Sequence, residues 1–278
     1  IFFQVVQPEW ANGLITQTEI SIVHTAFNIC TTVLLFPVSD WIIKLAKKIG
    51  RVEEDSQDKS MVQLDERVLQ TPGLALQSTV NEVIRMGQIV EDSLMVAKDV
   101  LFTLKDGDIQ FLKEEEATVD RLSAGITNYA IKVGALQISE KEHQDVAHLL
   151  QVVSDMERIS DYCENISEFA ETLYEKKASF SEIGEEQLKE MMEVCTDSYR
   201  YALKAFENQD RAMALKVIEK ETQADNLELR LRNKHIQRLA NNQCKTEAGI
   251  VYLDTLVCLE RISDHARNIA EEVLERSA

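Results

Sequence analysis

Proline is nearly missing from this sequence: Pro8, Pro37 and Pro72 are the only three, so nothing after Pro72 carries the residue that breaks helices. Glycine is also sparse in that stretch, while Leu, Glu, Ala, Lys and Met are plentiful, which leaves long helices joined by short connections. The five cysteines, Cys30, Cys163, Cys195, Cys244 and Cys258, form no CxxC pair, and two sit inside apolar helical patterns. That usage points to buried thiols in a reducing compartment and excludes a disulfide framework. Positive charge is scarce too. A formal charge of -18 excludes nucleic acid as a partner and argues against the main body lying on anionic lipid.

What the first fifty residues lack is any Lys or Arg before Lys44. Between Ile20 and Ile43, "ISIVHTAFNICTTVLLFPVSDWII" is long and apolar enough to cross a bilayer as a helix. Lys44, Lys47, Lys48 and Arg51 then arrive together, and the positive-inside rule puts that end in the cytoplasm. Trp10 and Trp41 suit the interfacial belt, and a signal peptide would carry its charges ahead of the apolar stretch instead. The competing reading is a buried core helix. His24 and Asn28, spaced i, i+4, share one face of that helix, as a packing contact or a substrate contact. That charge pattern leads to the expectation of a membrane location with residues from about 45 onward cytoplasmic. A chain that begins at Ile1 and not Met reads as a fragment or a processed product.

Beyond the polar linker "RVEEDSQDKSMVQLDERVLQTPG" the chain repeats itself. Helices are expected over residues 75–104 (ending at the turn Asp106-Gly107-Asp108) and 109–133, then from the capping box Ser139-x-x-Glu142 to about Tyr174. The second copy follows the same plan over residues 185–207, then to about Ala240, then 246–275, with a turn at Asn208-Gln209-Asp210. Leu149, Val153, Met156, Cys163 and Ile166 form an apolar stripe on the third helix, answered by Leu256, Leu259, Ile262, Ile269 and Val273 in the sixth. The expected fold is all-α, an N-terminal transmembrane helix followed by two tandem three-helix bundles. Its parts are 1–50, the end of a membrane domain; 51–74, a linker; and 75–178 and 179–278, the two repeats.

Each repeat carries carboxylates one helical turn apart, twice. Glu157 and Asp161 sit in "DMERISDYCENIS", and Glu260 and Asp264 in "CLERISDHARNIA". The preceding helices offer Glu116 with Asp120 in "EEEATVD" and Glu221 with Asp225 in "EKETQAD". Like charges at i, i+4 destabilise a helix by roughly a few tenths of a kcal/mol, and a cation would relieve them. Oxygen ligands favour Mg, Ca, Mn or iron over copper. The competing reading is solvated helix faces in an acidic chain, with Arg158 and Arg261 as internal neutralisers. Asn165 and Asn268 also match between copies. His143, His148, His235 and His265 show no metal spacing, although His265 lies beside Asp264.

"LERISDHARNIAEE" closely resembles the third-helix signature of PhoU repeats, and "MERISDYCENISEFAE" is a looser copy. Ser160 and Ser263 stand where that pattern usually has Gly, and Tyr162-Cys163 replaces its His-Ala. The resemblance spans roughly Ala75 to Ala278. It implies two three-helix repeats whose E/D-x-x-x-D pairs bind metal clusters, often iron, and a role in phosphate uptake control, not catalysis. "HTAFNICTTVLLFP" resembles the closing segment of bacterial type II sodium/phosphate cotransporters, some of which carry a PhoU region at the cytoplasmic end. Their Gln-Ser-Ser-type motifs are absent here.

These resemblances imply the C-terminal part of a sodium-dependent phosphate transporter with a regulatory PhoU-like region. Inorganic phosphate and sodium would act through an upstream domain, and the resemblance implies the bacterial inner membrane as partner and location, multi-pass in full length. A regulatory protein partner and homo-oligomerisation stay open. The alternative is a membrane-tethered adaptor in phosphate signalling with no transport by its own chain. A carboxylate-bridged metalloenzyme ranks last, because the Glu-x-x-His pairs of ferritin-like di-iron sites are missing.

Overall fold

The computed structural model describes residues 24, 25, 27–29, 31, 32, 64–103, 106–241 and 243–276. The chain divides into two compact units, Ile1–Asp58 and Lys59–Ala278. In the first, His24 and Asn28 lie on one helical turn, with Asn28 Nδ2 3.3 Å from His24 Nδ1. Most of the expected transmembrane stretch lies outside the described residues. Among the described residues no helix is long and apolar enough to cross a membrane, and the expectation of a spanning helix is corrected to that extent.

The second unit is helical, with no strand among the described residues. A short 3-10 helix, Glu66–Gln70, is capped by Asp65, which accepts from Arg67 N–H at 2.9 Å. Six long helices follow: α1 (Pro72–Val100), α2 (Asp106–Gly134), α3 (Glu140–Glu175), α4 (Glu182–Asn208), α5 (Arg211–Ala240) and α6 (Thr246–Arg276). Their ends follow local chemistry. Pro72 occupies the first turn of α1, where its missing N–H costs nothing. The capping box at α3 forms as expected: Ser139 accepts from Glu142 N–H and donates its own N–H back to the Glu142 carboxylate at 2.7 Å. Asp210 caps α5 by accepting from Ala212 N–H at 2.8 Å, after Gln209 has turned the chain left-handed.

One expected turn is absent. Asp106-Gly107-Asp108 forms the first turn of α2 instead of a break before it, a place where acidic residues suit the helix dipole.

Each set of three helices packs as a bundle, and the two bundles share one core. The stripe residues expected on the third and sixth helices are all buried within it. α1 meets α4 at Gly87, where an added Cβ would fall 2.6 Å from Leu203 and 2.8 Å from Met156. Tyr199, fully buried on α4, donates to the Gly87 carbonyl across this approach at 2.9 Å. Cys163, Cys195 and Cys258 are buried free thiols, as their positions suggested, and burial pushes each further from ionisation.

α3 and α6 form the long seam between the repeats. Contacts pair Asp145 with Arg276, His148 with Glu272, and Asp155 with His265 and Asn268. Rising numbers on one helix meet falling numbers on the other, so the helices run antiparallel. Asp155 is 2% exposed, and its carboxylate faces three donors: His265 Nδ1 at 2.7 Å, Asn268 Nδ2 at 3.0 Å and, on its own helix, Gln151 Nε2 at 3.0 Å. Breaking such a buried set strands the partner that remains. Asp155→Ala is therefore expected to cost about 3 kcal/mol in chemical denaturation. A loss below about 1 kcal/mol, the scale of an ordinary hydrogen bond, would mean that apolar packing alone holds the seam.

Candidate metal centres

The i, i+4 spacing sets Glu116 and Asp120 on one face of α2, and the packing of α2 on α3 brings Asp161 to them. Carboxylate oxygens of the three residues lie within 4.8 Å of one another. The second repeat reproduces the arrangement with Glu221 and Asp225 of α5 and Asp264 of α6, again within 4.8 Å. Six of the eight carboxylates expected from the sequence thus converge as two equivalent triads.

The other two take different places. Glu157 accepts a 2.7 Å hydrogen bond from Ser123 of α2 and fastens α2 to α3 beside the first triad. Glu260 lies 3.8 Å from Arg261, and burial, then the charges of Asp264 and Asp225, raise its pKa against the pull of that guanidinium.

Electrostatics separates the two triads. In the first, burial and then the charges of Asp120, Glu164 and Asp161 push the Glu116 carboxyl up to about 7. Asp161 is raised by burial, with Arg158 opposing at 3.1 Å. Glu164 is raised as well, chiefly by burial. In the second triad burial raises Asp225 and Asp264. Glu221, 4% exposed, receives Arg267 Nη1 at 2.7 Å. The guanidinium also donates to Glu271 at 2.8 Å, and these bonds hold it well above its ordinary range.

Arg267 and Glu164 occupy the same position, three residues after the aspartate in each ERISD copy. The sequence reading marked neither. The second triad therefore carries an arginine beyond the one that each ERISD copy supplies, where the first has a fourth carboxylate. Subtracting one copy of the motif from the other would have exposed this reversal. Arg158 and Arg261, read as neutralisers, do face Asp161 and Glu260. His265 is turned away from Asp264 toward Asp155, and Asn268 is likewise a seam residue. Of the two ERISD serines, Ser160 Oγ is buried without a hydrogen-bond partner among the described residues, and Ser263 Oγ reaches Ser198 Oγ at 3.5 Å.

The donor set suits a hard cation: carboxylate oxygens only, partly desolvated, and in the first triad in excess over nearby positive charge. In the second triad a cation would have to displace Arg267.

Known proteins support the fold independently. The Thermotoga maritima phosphate-specific transport system accessory protein PhoU homolog 1 is 28% identical over 195 residues, 70% of this chain and 83% of that protein. The putative inorganic phosphate export protein YjbB of Salmonella typhimurium is 23% identical over 256 residues, 91% of this chain. This chain spans about half of that relative, 47% of its length. The crystal structure of PhoU from Pseudomonas aeruginosa superimposes with a TM-score of 0.70 at 22% identity, over 74% of this chain and 98% of that one. A PhoU chain is thus matched almost end to end by three-quarters of this one. With no spanning helix among the described residues, this overturns the expected inner-membrane location. The PhoU domain model matches residues 83–170 and 188–273, one stretch in each bundle, and the chain belongs to the PhoU domain family.

Proposed function

We propose that this chain is an accessory regulator of phosphate transport, an adaptor that moves no ion through its own helices. The observation that carries this reading is the double PhoU match, one per repeat, together with relatives named as accessory proteins of a phosphate-specific transport system. A non-catalytic role agrees with those names. Residues 75–178 and 179–278 would be the two repeats, and residues 1–74 would lie outside them. Neither the accessory proteins nor the export protein is named a sodium cotransporter, so the sodium-coupled reading gains nothing from them.

A second reading has one specific support. The match to the phosphate export protein covers 256 residues, more than the helices from Pro72 to Arg276 contain, so it reaches beyond the repeats. On that reading the repeats form the regulatory part of a longer phosphate-exporting protein.

The regulatory signal we propose is a cation on the carboxylate triads. Glu116, Asp120 and Asp161 would hold it in the first repeat, with Glu164 adjacent, and Glu221, Asp225 and Asp264 in the second. Glu157 and Glu260 would stand beside these ligands, Glu157 holding α2 against α3. A bound Mg2+, Mn2+ or iron ion would cancel the repulsion within each triad and tie the second helix of a repeat to its third.

Three outcomes follow. Truncating the protein after Arg51 in its native host is expected to alter phosphate uptake or efflux. Radiolabelled-phosphate flux, and a response of that flux to phosphate starvation, both unchanged from the intact protein would remove the regulatory reading, and complete loss of efflux would favour the second one. In metal titrations of the full chain, the first triad should bind tighter. Arg267→Gln should tighten the second triad about tenfold, and Glu164→Arg should weaken the first by as much, each about 1.4 kcal/mol. Identical isotherms for parent and variants would leave the triads as solvated faces.

The third outcome concerns pH. The folded chain binds the Glu116 proton more tightly than the unfolded chain, whose glutamate titrates near 4.5. Metal-free, this group contributes stability below about pH 4.5 that is lost as pH rises through about 7. Metal needs the ionised form, so Mn2+ should raise the melting temperature most above pH 7. Glu116→Gln should flatten both trends.

A further inference from the structure

The histidines have no metal spacing along the sequence, but the fold supplies what spacing could not. At one end of the seam His148 of α3 lies against Glu272 of α6, its Nδ1 hydrogen-bonded to Glu272 Oε2. Glu275 sits one turn further along α6 on the same face. Donor atoms of His148, Glu272 and Glu275 all fall within 4.8 Å of one another. Two repeats therefore contribute to one cluster that contains a nitrogen donor, which neither carboxylate triad has.

The surrounding charges leave the cluster open to a cation. Arg276, the neighbouring guanidinium, is taken up by Asp145 at 2.9 Å. Arg267 is divided between Glu221 and Glu271. His148 and Glu272 are mostly buried, with side chains 22% and 19% exposed, whereas Glu275 is open to solvent. That gives two anchored donors and one at the mouth, with room outside for water to complete the shell.

We propose that His148, Glu272 and Glu275 bind a borderline transition-metal dication, such as Zn2+, across the seam between the two repeats. One imidazole and two carboxylates match the ligand types of open zinc sites. A mixed nitrogen and oxygen set selects such ions over Mg2+ or Ca2+. Donors held about 2.0–2.2 Å from one ion stand up to about 4.4 Å apart, so the present separations are near those a bound ion would set. The site is distinct in chemistry from the triads: they would take a hard cation within a repeat, and this one would staple one repeat to the other. Metal would replace the His148–Glu272 hydrogen bond with a three-point link between α3 and α6.

Co2+ serves as the probe, because its unpaired electrons shift the proton resonances of an imidazole bound to it. The full chain is titrated on a Glu116→Gln, Glu221→Gln background that weakens the triads. The expected result is one set of strongly shifted imidazole signals, absent in His148→Ala and displaced by Zn2+. Glu275→Gln should weaken Co2+ binding at least about tenfold. This variant is the decisive one, because Glu275 is exposed and stands outside the His148–Glu272 hydrogen bond, so the fold does not depend on it. No shifted imidazole at excess Co2+, or binding unchanged in Glu275→Gln, would reduce the cluster to an ordinary ion pair.

Discussion

The antiparallel seam between α3 and α6 is the constraint on which the rest of the molecule hangs. One face of each helix supplies the apolar stripe of its own bundle, and the adjoining face meets the other repeat. Asp155 fixes the register, since its buried carboxylate is satisfied only where His265 and Asn268 stand opposite it. A slide along the seam would strand a charge in a dry interface, at a cost of several kcal/mol. Once that register is set, Asp161 and Asp264 are left on the far faces, turned toward α2 and α5. The seam's polar contacts and the triads thus use different faces of the same two helices.

Duplication made the two triads alike, and one substitution made them unlike. Glu164 adds a carboxylate where Arg267 supplies a cation. The effect is visible in the matched glutamates: Glu221 is held by a guanidinium, while partial burial and the neighbouring carboxylates let Glu116 keep its proton up to about pH 7. Both arrangements answer the same electrostatic problem, that closely packed carboxylates cannot all stay ionised without a counter-charge. One answer is built into the chain. The other has only Arg158 against a fourth carboxylate, and leaves the remaining counter-charge to come from outside, as a proton or a metal ion.

Much of the fold was legible because it depends on local chemistry. Proline scarcity, the Ser139-x-x-Glu142 box and the stripes through Met156 and Ile262 placed the helices to within a few residues. The turn at Asp106-Gly107-Asp108 was misread because Gly and Asp favour both turns and helix starts, and only the packing of α2 decides between them. Which carboxylates met was partly legible, since i, i+4 spacing fixes a shared face but not what lies opposite it. Glu157 and Asp161 share a helix turn, yet one faces Ser123 and the other faces Glu116 and Asp120. His148 was beyond any pattern search, because its partners come from the other repeat, and only the seam brings them near.

That last case bears on how such a molecule can respond to an ion. A cation on the first triad would tighten α2 against α3 within one repeat. α3 is also one wall of the seam, and through Asp145, His148 and Asp155 it makes successive polar contacts with α6. The second triad, partly neutralised by Arg267, has less to gain from the same ion, so the two repeats would not tighten together. A difference between two otherwise matched bundles must then be taken up where they meet, at the seam. On the proposed metal reading the charge reversal would supply a bias between the repeats, and the seam would be the element placed to register it.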